Sequence, residues 1–89
     1  MSSNEPSFSI SPNPSAYKIN LKLHNTKAEN IIIYNVLGEE VFQQTLIGGL
    51  NHYIIDIYGL ENGLYYVKLN GAELPMKHQV LKLIKQGHE

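Results

Sequence analysis

The stretch 60–69, Leu-Glu-Asn-Gly-Leu-Tyr-Tyr-Val-Lys-Leu, joins a tight corner to a strand. Gly63 has no Cβ and can adopt the positive φ that such a corner needs. Beyond the corner, Tyr65, Val67 and Leu69 point to one side of an extended chain and the residues between them point to the other. The pattern predicts a strand whose apolar side lies in the core, with Leu60 closing the end of that core.

Strand patterns continue on both sides of this stretch, and helical periodicity is absent. Predicted strands cover 17–23, 31–34, 41–46, 51–57, the residues after the corner, and 76–84, and a short apolar segment covers 7–10. The run 31–34 is β-branched with apolar residues on both faces, which is typical of a central strand. Gly38 fits the left-handed position of a hairpin loop. The sequence predicts an all-β fold, a single Ig-like antiparallel β-sandwich of about seven short strands.

Length and charge restrict the possible classes of protein. Eighty-nine residues make one domain, for which we expect a leader at 1–7, the sandwich at 8–86 and a short tail at 87–89. The leader lacks the basic region and apolar core of a signal peptide. A net charge of −1 gives no reason to expect a nucleic-acid partner, and no apolar run is long enough to insert into a membrane.

Residues that could catalyse a reaction or bind a metal are scattered. The chain has no cysteine, only one aspartate (Asp56), and four histidines without ligand spacing: His24, His52, His78 and His88. The glycines do not form a phosphate-binding loop, and no serine stands in a nucleophile elbow. We therefore expect no enzymatic activity, no cofactor and no metal site.

Four segments, taken in order, resemble the type A C-terminal sorting domain of type IX secretion cargo from Bacteroidetes. They are 10–14 (Ile-Ser-Pro-Asn-Pro), 33–41 (Ile-Tyr-Asn-Val-Leu-Gly-Glu-Glu-Val), the stretch 60–69 and the basic, apolar ending 81–85. The residues that match the signal motif are Pro12, Asn13, Pro14, Gly38, Leu60, Gly63, Tyr65, Val67 and Lys68. The Pro-Asn-Pro segment is interpreted as an extended structural corner, and direct contact with a partner is the alternative.

The resemblance implies a non-catalytic secretion signal at the C-terminus of a larger cargo protein. The signal would pass through the periplasm and direct its cargo through the type IX outer-membrane translocon, so that the product is secreted or held on the outer-membrane surface. In this family a sortase-like cysteine peptidase commonly removes the domain. Any cleavage point is expected N-terminal to Phe8.

The final hairpin, 63–86, is the predicted recognition element. It is basic, and an edge strand there could add to a partner's sheet or form a dimer. The residues assigned to translocon recognition are Lys77, Val80, Leu81, Lys82, Leu83, Ile84 and Lys85. In the alternative interpretation these lysines only protect an edge strand from aggregation.

A second class of function shares the predicted fold. An Ig-like accessory or adhesion module would bind carbohydrate or protein, and four tyrosines could form a carbohydrate-binding face: Tyr53, Tyr58, Tyr65 and Tyr66. Aromatic residues in strands are more often core or cross-strand pairs.

Overall fold

The computed structural model describes residues 7–12, 17–71 and 80–87. Seven strands occupy these ranges: β1 Ser7–Ser11, β2 Lys18–His24, β3 Asn30–Tyr34, β4 Glu40–Thr45, β5 His52–Asp56, β6 Gly63–Asn70 and β7 Leu81–Lys85. Every pairing between them is antiparallel, and no helix occurs in the described ranges. The predicted all-β fold is confirmed.

The strands form two sheets. One contains three strands in the order β1-β2-β5, and the other contains four in the order β4-β3-β6-β7. The chain passes from one sheet to the other after β2, after β4 and after β5. The predicted central strand, β3, lies between β4 and β6, and the predicted terminal edge strand, β7, lies at one side of the four-stranded sheet.

Alternation along the strands places apolar side chains between the two sheets. The three-stranded sheet contributes Ile19, Leu21 and Ile55, and the four-stranded sheet contributes Ile31, Ile33, Val67 and Leu83, all of them fully buried. Burial of one side chain of this size stabilises the folded state by about 1.5–3 kcal/mol relative to leaving that side chain exposed. The predicted antiparallel β-sandwich is confirmed, and this shared core holds its two layers together.

Two expectations about strand ends differ from the structure. Alternation over the predicted strand 17–23 puts Tyr17 on the same face as Ile19, Leu21 and Leu23. In the structure Tyr17 precedes β2, its side chain is 49% exposed and its ring lies 5.7 Å from that of Tyr58. Its carbonyl oxygen still accepts a hydrogen bond from the backbone N–H of Ile57, so only the ring leaves the core. The terminal strand was expected over 76–84; β7 covers Leu81–Lys85, and positions 76–79 lie outside the described residues.

Candidate recognition surface

Tyr65 secures the corner that leads into β6. Its side chain is only 8% exposed, and its hydroxyl donates a hydrogen bond of 2.6 Å to the carbonyl oxygen of Glu61. A tyrosine bonded to the backbone just upstream is the tyrosine corner of Ig-like sandwiches. Burial, and then the nearby Glu61 charge, raise the pKa of Tyr65, although its hydrogen bond to the Glu61 backbone acts in the opposite direction. The neutral phenol therefore holds this corner.

The other motif residues around the corner have separate structural tasks. Leu60 packs against the core, as predicted, and Gly63 has a φ of 152°, a conformation that side chains rarely adopt. The side-chain oxygen of Asn62 accepts a hydrogen bond of 3.0 Å from the backbone N–H of Gly87. The corner thus also fixes the chain just beyond β7.

The hairpin between β3 and β4 is held by one asparagine. The Asn35 side-chain oxygen accepts hydrogen bonds from the backbone N–H groups of Leu37 (2.9 Å) and Glu39 (3.0 Å), and its amide donates to the Glu39 carboxylate at 2.8 Å. Gly38 has a φ of 83°, in the left-handed region predicted for it. The motif residues of this hairpin therefore maintain a turn, and they leave the side chain of Leu37 exposed.

The first part of the motif is only partly described. Pro12 follows β1 directly, after a cis peptide bond from Ser11, while Asn13 and Pro14 lie outside the described residues.

The residues predicted for translocon recognition do not share one environment. Leu83 is fully buried, Leu81 packs against the core and Lys85 is only 5% exposed. Lys82 and Ile84 point away from the core, Val80 just before β7 is exposed, and Lys77 lies outside the described residues.

Lys85 is buried because of its register. It shares the inward-facing side of β7 with Leu81 and Leu83 and lies opposite Gly63, and a lysine can bury its aliphatic stem along apolar surface. It also lines a surface depression of about 420 Å³ beside Tyr17 and Tyr58. Its charge is therefore less available to a partner than the basic ending of the sequence indicated.

The outer surface of the four-stranded sheet is apolar and aromatic at its centre. Seven outward-pointing residues of β3, β6 and β7 form what we call the aromatic face: Ile32, Tyr34, Leu64, Tyr66, Lys68, Lys82 and Ile84. Tyr66 lies opposite Tyr34 on one side and Lys82 on the other; Leu64 lies opposite Ile84, and Ile32 lies opposite Lys68. Tyr66 is thus the centre of a continuous surface.

The three-stranded sheet has a different outer surface. We call it the polar face, and it consists of Lys18, Asn20, Lys22, His52, Ile54 and Asp56. The Nε2 atom of His52 and the side-chain oxygen of Asn20 lie within hydrogen-bond distance, 3.2 Å apart. Ile54 is its single large apolar side chain.

The outer edge of β7 adjoins the other sheet. β1 and β7 contact each other at this side of the sandwich. Between them lies an open depression of about 310 Å³, lined by Phe8, Ser9, Ile10, Leu81 and Lys82. A strand approaching the edge of β7 would therefore meet β1.

The four tyrosines considered for carbohydrate binding are separated in the fold. Tyr65 is buried in the core, Tyr66 lies on the aromatic face, and exposed Tyr58 follows β5 beside Tyr17. The half-buried Tyr53 accepts a hydrogen bond of 2.9 Å at its hydroxyl from the Leu50 backbone N–H. A shared carbohydrate-binding face of these four residues does not form.

Two other kinds of site are absent from the described part of the chain. Residues 7–12, 17–71 and 80–87 contain no group of three histidine, aspartate or glutamate side chains able to hold a metal ion. Over the same ranges there is no helix with the length and hydrophobicity needed to cross a membrane.

Comparison with known proteins identifies the family. Searches of curated proteins and of solved structures returned no match for this chain. The family model described as "Secretion system C-terminal sorting domain" matches residues 9–86, nearly the whole chain. Domains of this family are sorting signals of type IX secretion: they are attached to a cargo protein, handled by the type IX machinery and direct export towards the cell surface or the medium. The chain belongs to the type IX secretion system C-terminal sorting domain family.

Proposed function

We propose that this domain carries a larger N-terminal cargo protein from the periplasm through the type IX outer-membrane translocon, without catalysing a reaction itself. The observation that carries the proposal is the family match over residues 9–86. The fold supports the proposal. The motif segments at the corner before β6 and in the β3–β4 hairpin are engaged in backbone hydrogen bonds and core packing rather than in a reactive cluster.

The proposed recognition element is the outward side of β7. Lys82 and Ile84 project from this strand next to β6, while Leu83 and Lys85 are turned inward. A partner that binds the folded domain would contact Lys82 and Ile84. Leu83 and Lys85 would affect binding only by keeping the domain folded. Lysines that merely prevented aggregation would not be expected to affect export.

The proposed processing step is removal of the domain by a sortase-like cysteine peptidase. Peptidases act on extended chain, and β1 is paired with β2 from Ser7 onwards, with Phe8 buried. We therefore propose cleavage N-terminal to Phe8, which would leave the sandwich itself intact.

A reporter fusion tests this function. The domain would be fused to the C-terminus of a periplasmic reporter in a Bacteroidetes host and in the same host without its translocon. We expect reporter on the surface or in the medium of the first strain only, and a mass spectrum of the exported reporter should place its new C-terminus before Phe8. Retention of the reporter in the periplasm of both strains would refute the function, and an uncut exported product would refute the processing step alone.

A further inference from the structure

We propose that the aromatic face docks the domain onto an acidic protein surface of the secretion machinery, with Tyr66 at the centre of the contact and Lys68 and Lys82 beside it. This inference rests on the proposed function and specifies which side of the sandwich is recognised. It replaces pairing at the edge of β7 with contact across a sheet face.

The composition of this face is the first argument. Antiparallel sheets with one face in water usually alternate apolar inward and polar outward residues. Here Leu64, Tyr66 and Ile84 point outward next to Tyr34 on β3. Ile84 is 43% exposed, and Tyr34, Leu64 and Tyr66 are half-buried. Aromatic residues surrounded by aliphatic and cationic side chains are enriched in protein interfaces.

The position of β1 is the second argument. Because β1 contacts β7 at this side of the sandwich, a strand added to the edge of β7 would also have to fit against β1. The aromatic face lies on the opposite surface of the four-stranded sheet from the core, where β1 presents no obstacle. A partner can thus reach the outward residues of β7 without disturbing the sandwich.

The positive charge of the aromatic face indicates that its partner is acidic. The outward-pointing residues of β3, β6 and β7 include two lysines and no carboxylate, and among the residues that the structure describes Glu40 on β4 lies in register with this face, opposite Tyr34. An acidic surface would complement Lys68 and Lys82. A second copy of the domain would instead bring like charges together, which disfavours self-association through this face.

The size of the face agrees with a reversible contact. With strands about 4.8 Å apart and residues about 3.3 Å apart, three strands and five positions cover roughly 15 Å by 15 Å. Stable interfaces bury about 800 Å² on each partner. A contact of this smaller size suits a signal that has to be released after transport.

The test compares charge reversal on the two sheets in the same reporter fusion. The variant Lys68→Glu/Lys82→Glu alters the aromatic face, and the matched control Lys18→Glu/Lys22→Glu makes the same change on the polar face. We expect about a tenfold or larger loss of exported reporter for the first variant, equal to the removal of about 1.4 kcal/mol of binding, and near-normal export for the control. Both purified domains should melt within a few degrees of the unaltered domain.

Each other outcome contradicts the inference in a recognisable way. Normal export of both variants would overturn the docking face while leaving the proposed function intact, whereas absence of export for the unaltered domain would mean that the function itself is wrong. Equal loss in both variants would show a general effect of charge. If the first variant melts early, Tyr66→Thr replaces it, with Ile54→Thr as its control, and the same outcomes apply.

Two further measurements separate the alternative occupants. Sedimentation of the purified domain with vesicles of phosphatidylglycerol should show no binding that depends on Lys68 and Lys82. Analytical ultracentrifugation should show no dimer that the double substitution dissociates. Either a lysine-dependent vesicle complex or such a dimer would overturn the assignment to an acidic protein surface.

Discussion

The two sheets present similar apolar inner faces to each other, yet their outer faces differ. The polar face of the three-stranded sheet has one large apolar residue, Ile54, among charged and amide side chains. The aromatic face of the four-stranded sheet has apolar residues on three neighbouring strands around Tyr66. Folding requires only the inner faces, and an apolar outer face increases the risk of aggregation. Stability therefore accounts for the apolar inner face of each sheet but not for the apolar residues of the aromatic face, which the proposed docking explains.

Substitutions on the inner faces should reduce stability most. Ile33→Ala on β3 and Ile19→Ala on β2 each remove a fully buried side chain. Each substitution should lower the free energy of unfolding by about 2–5 kcal/mol, because it leaves a cavity as well as losing buried apolar area. Denaturant titration checks this result. A small effect at either position would mean that the two sheets do not share the core equally.

The connection from β5 to β6 should show the next largest loss of stability. Tyr65 lies where the chain has crossed from the three-stranded to the four-stranded sheet, and Tyr65→Phe removes its hydrogen bond to the Glu61 carbonyl. Losing this bond should destabilise the domain by about 1–2 kcal/mol. Thermal and denaturant unfolding measure the loss, and an unchanged midpoint would show that the corner does not depend on the hydroxyl.

The pH dependence of the domain's stability provides an independent measurement on Tyr65. Folding raises the pKa of Tyr65 above its ordinary value of 10.0, so the unfolded chain releases this proton first as the pH rises. Its contribution to stability is thus fully present below pH 10.0 and is lost as the pH rises above it. The Tyr65→Phe variant should show a smaller alkaline decrease in the free energy of unfolding. Equal alkaline decreases in both proteins would contradict the assigned cause.

The turns provide a smaller effect with a matched control. Gly38 in the β3–β4 hairpin of the four-stranded sheet has a φ of 83°, whereas Gly59, after the last strand of the three-stranded sheet, has open space around it and no such conformation. Gly38→Ala should cost about 1 kcal/mol from backbone strain. Gly59→Ala should stay within about 0.5 kcal/mol of the unaltered domain. Thermal melting of the two variants side by side would reveal whether strain is confined to the first turn.

The outer faces provide the smallest effect on stability. Tyr66→Thr and Ile54→Thr each replace an outward apolar residue by one that also favours strands. Both should change the free energy of unfolding by less than about 1 kcal/mol, because neither side chain fills the core. A larger loss for Tyr66→Thr, measured by denaturant titration, would indicate that the aromatic face serves folding rather than docking.

Local pattern predicted the fold and part of the surface. Alternation identified β2, β5 and β6, and the β-branched run identified β3 as central, because burial on one or both faces leaves a periodic signal. The assignment of strands to sheets depends on pairing between distant segments, which local pattern does not contain. The expectation that Lys85 is exposed was wrong because it rested on the charge of the side chain. The alternation of side chains along the strand already put Lys85 on the same side as Leu81 and Leu83.

The aromatic face was hidden for a related reason. Apolar residues on both sides of 31–34 and 64–69 fit a buried central strand as well as a strand with one exposed apolar face. Only the register of β3, β6 and β7 shows that Tyr34, Tyr66 and Ile84 form one surface. The acceptor of the Tyr65 hydroxyl could not be predicted from the sequence either, because a phenol can donate to any acceptor that the folded corner brings near it.

The edge position of β1 has a mechanical consequence. A cargo joined on the N-terminal side would exert its pulling force at Ser7, where β1 begins its pairing with β2. Force across the strands would separate these pairs one after another, starting with Ser7 and His24, whereas force along them would load all five pairs together. Peeling removes β1 while the four-stranded sheet stays paired, and it uncovers the edge of β7 and the core around Phe8. Tension from a cargo would thus uncover a strand edge that β1 flanks in the intact sandwich.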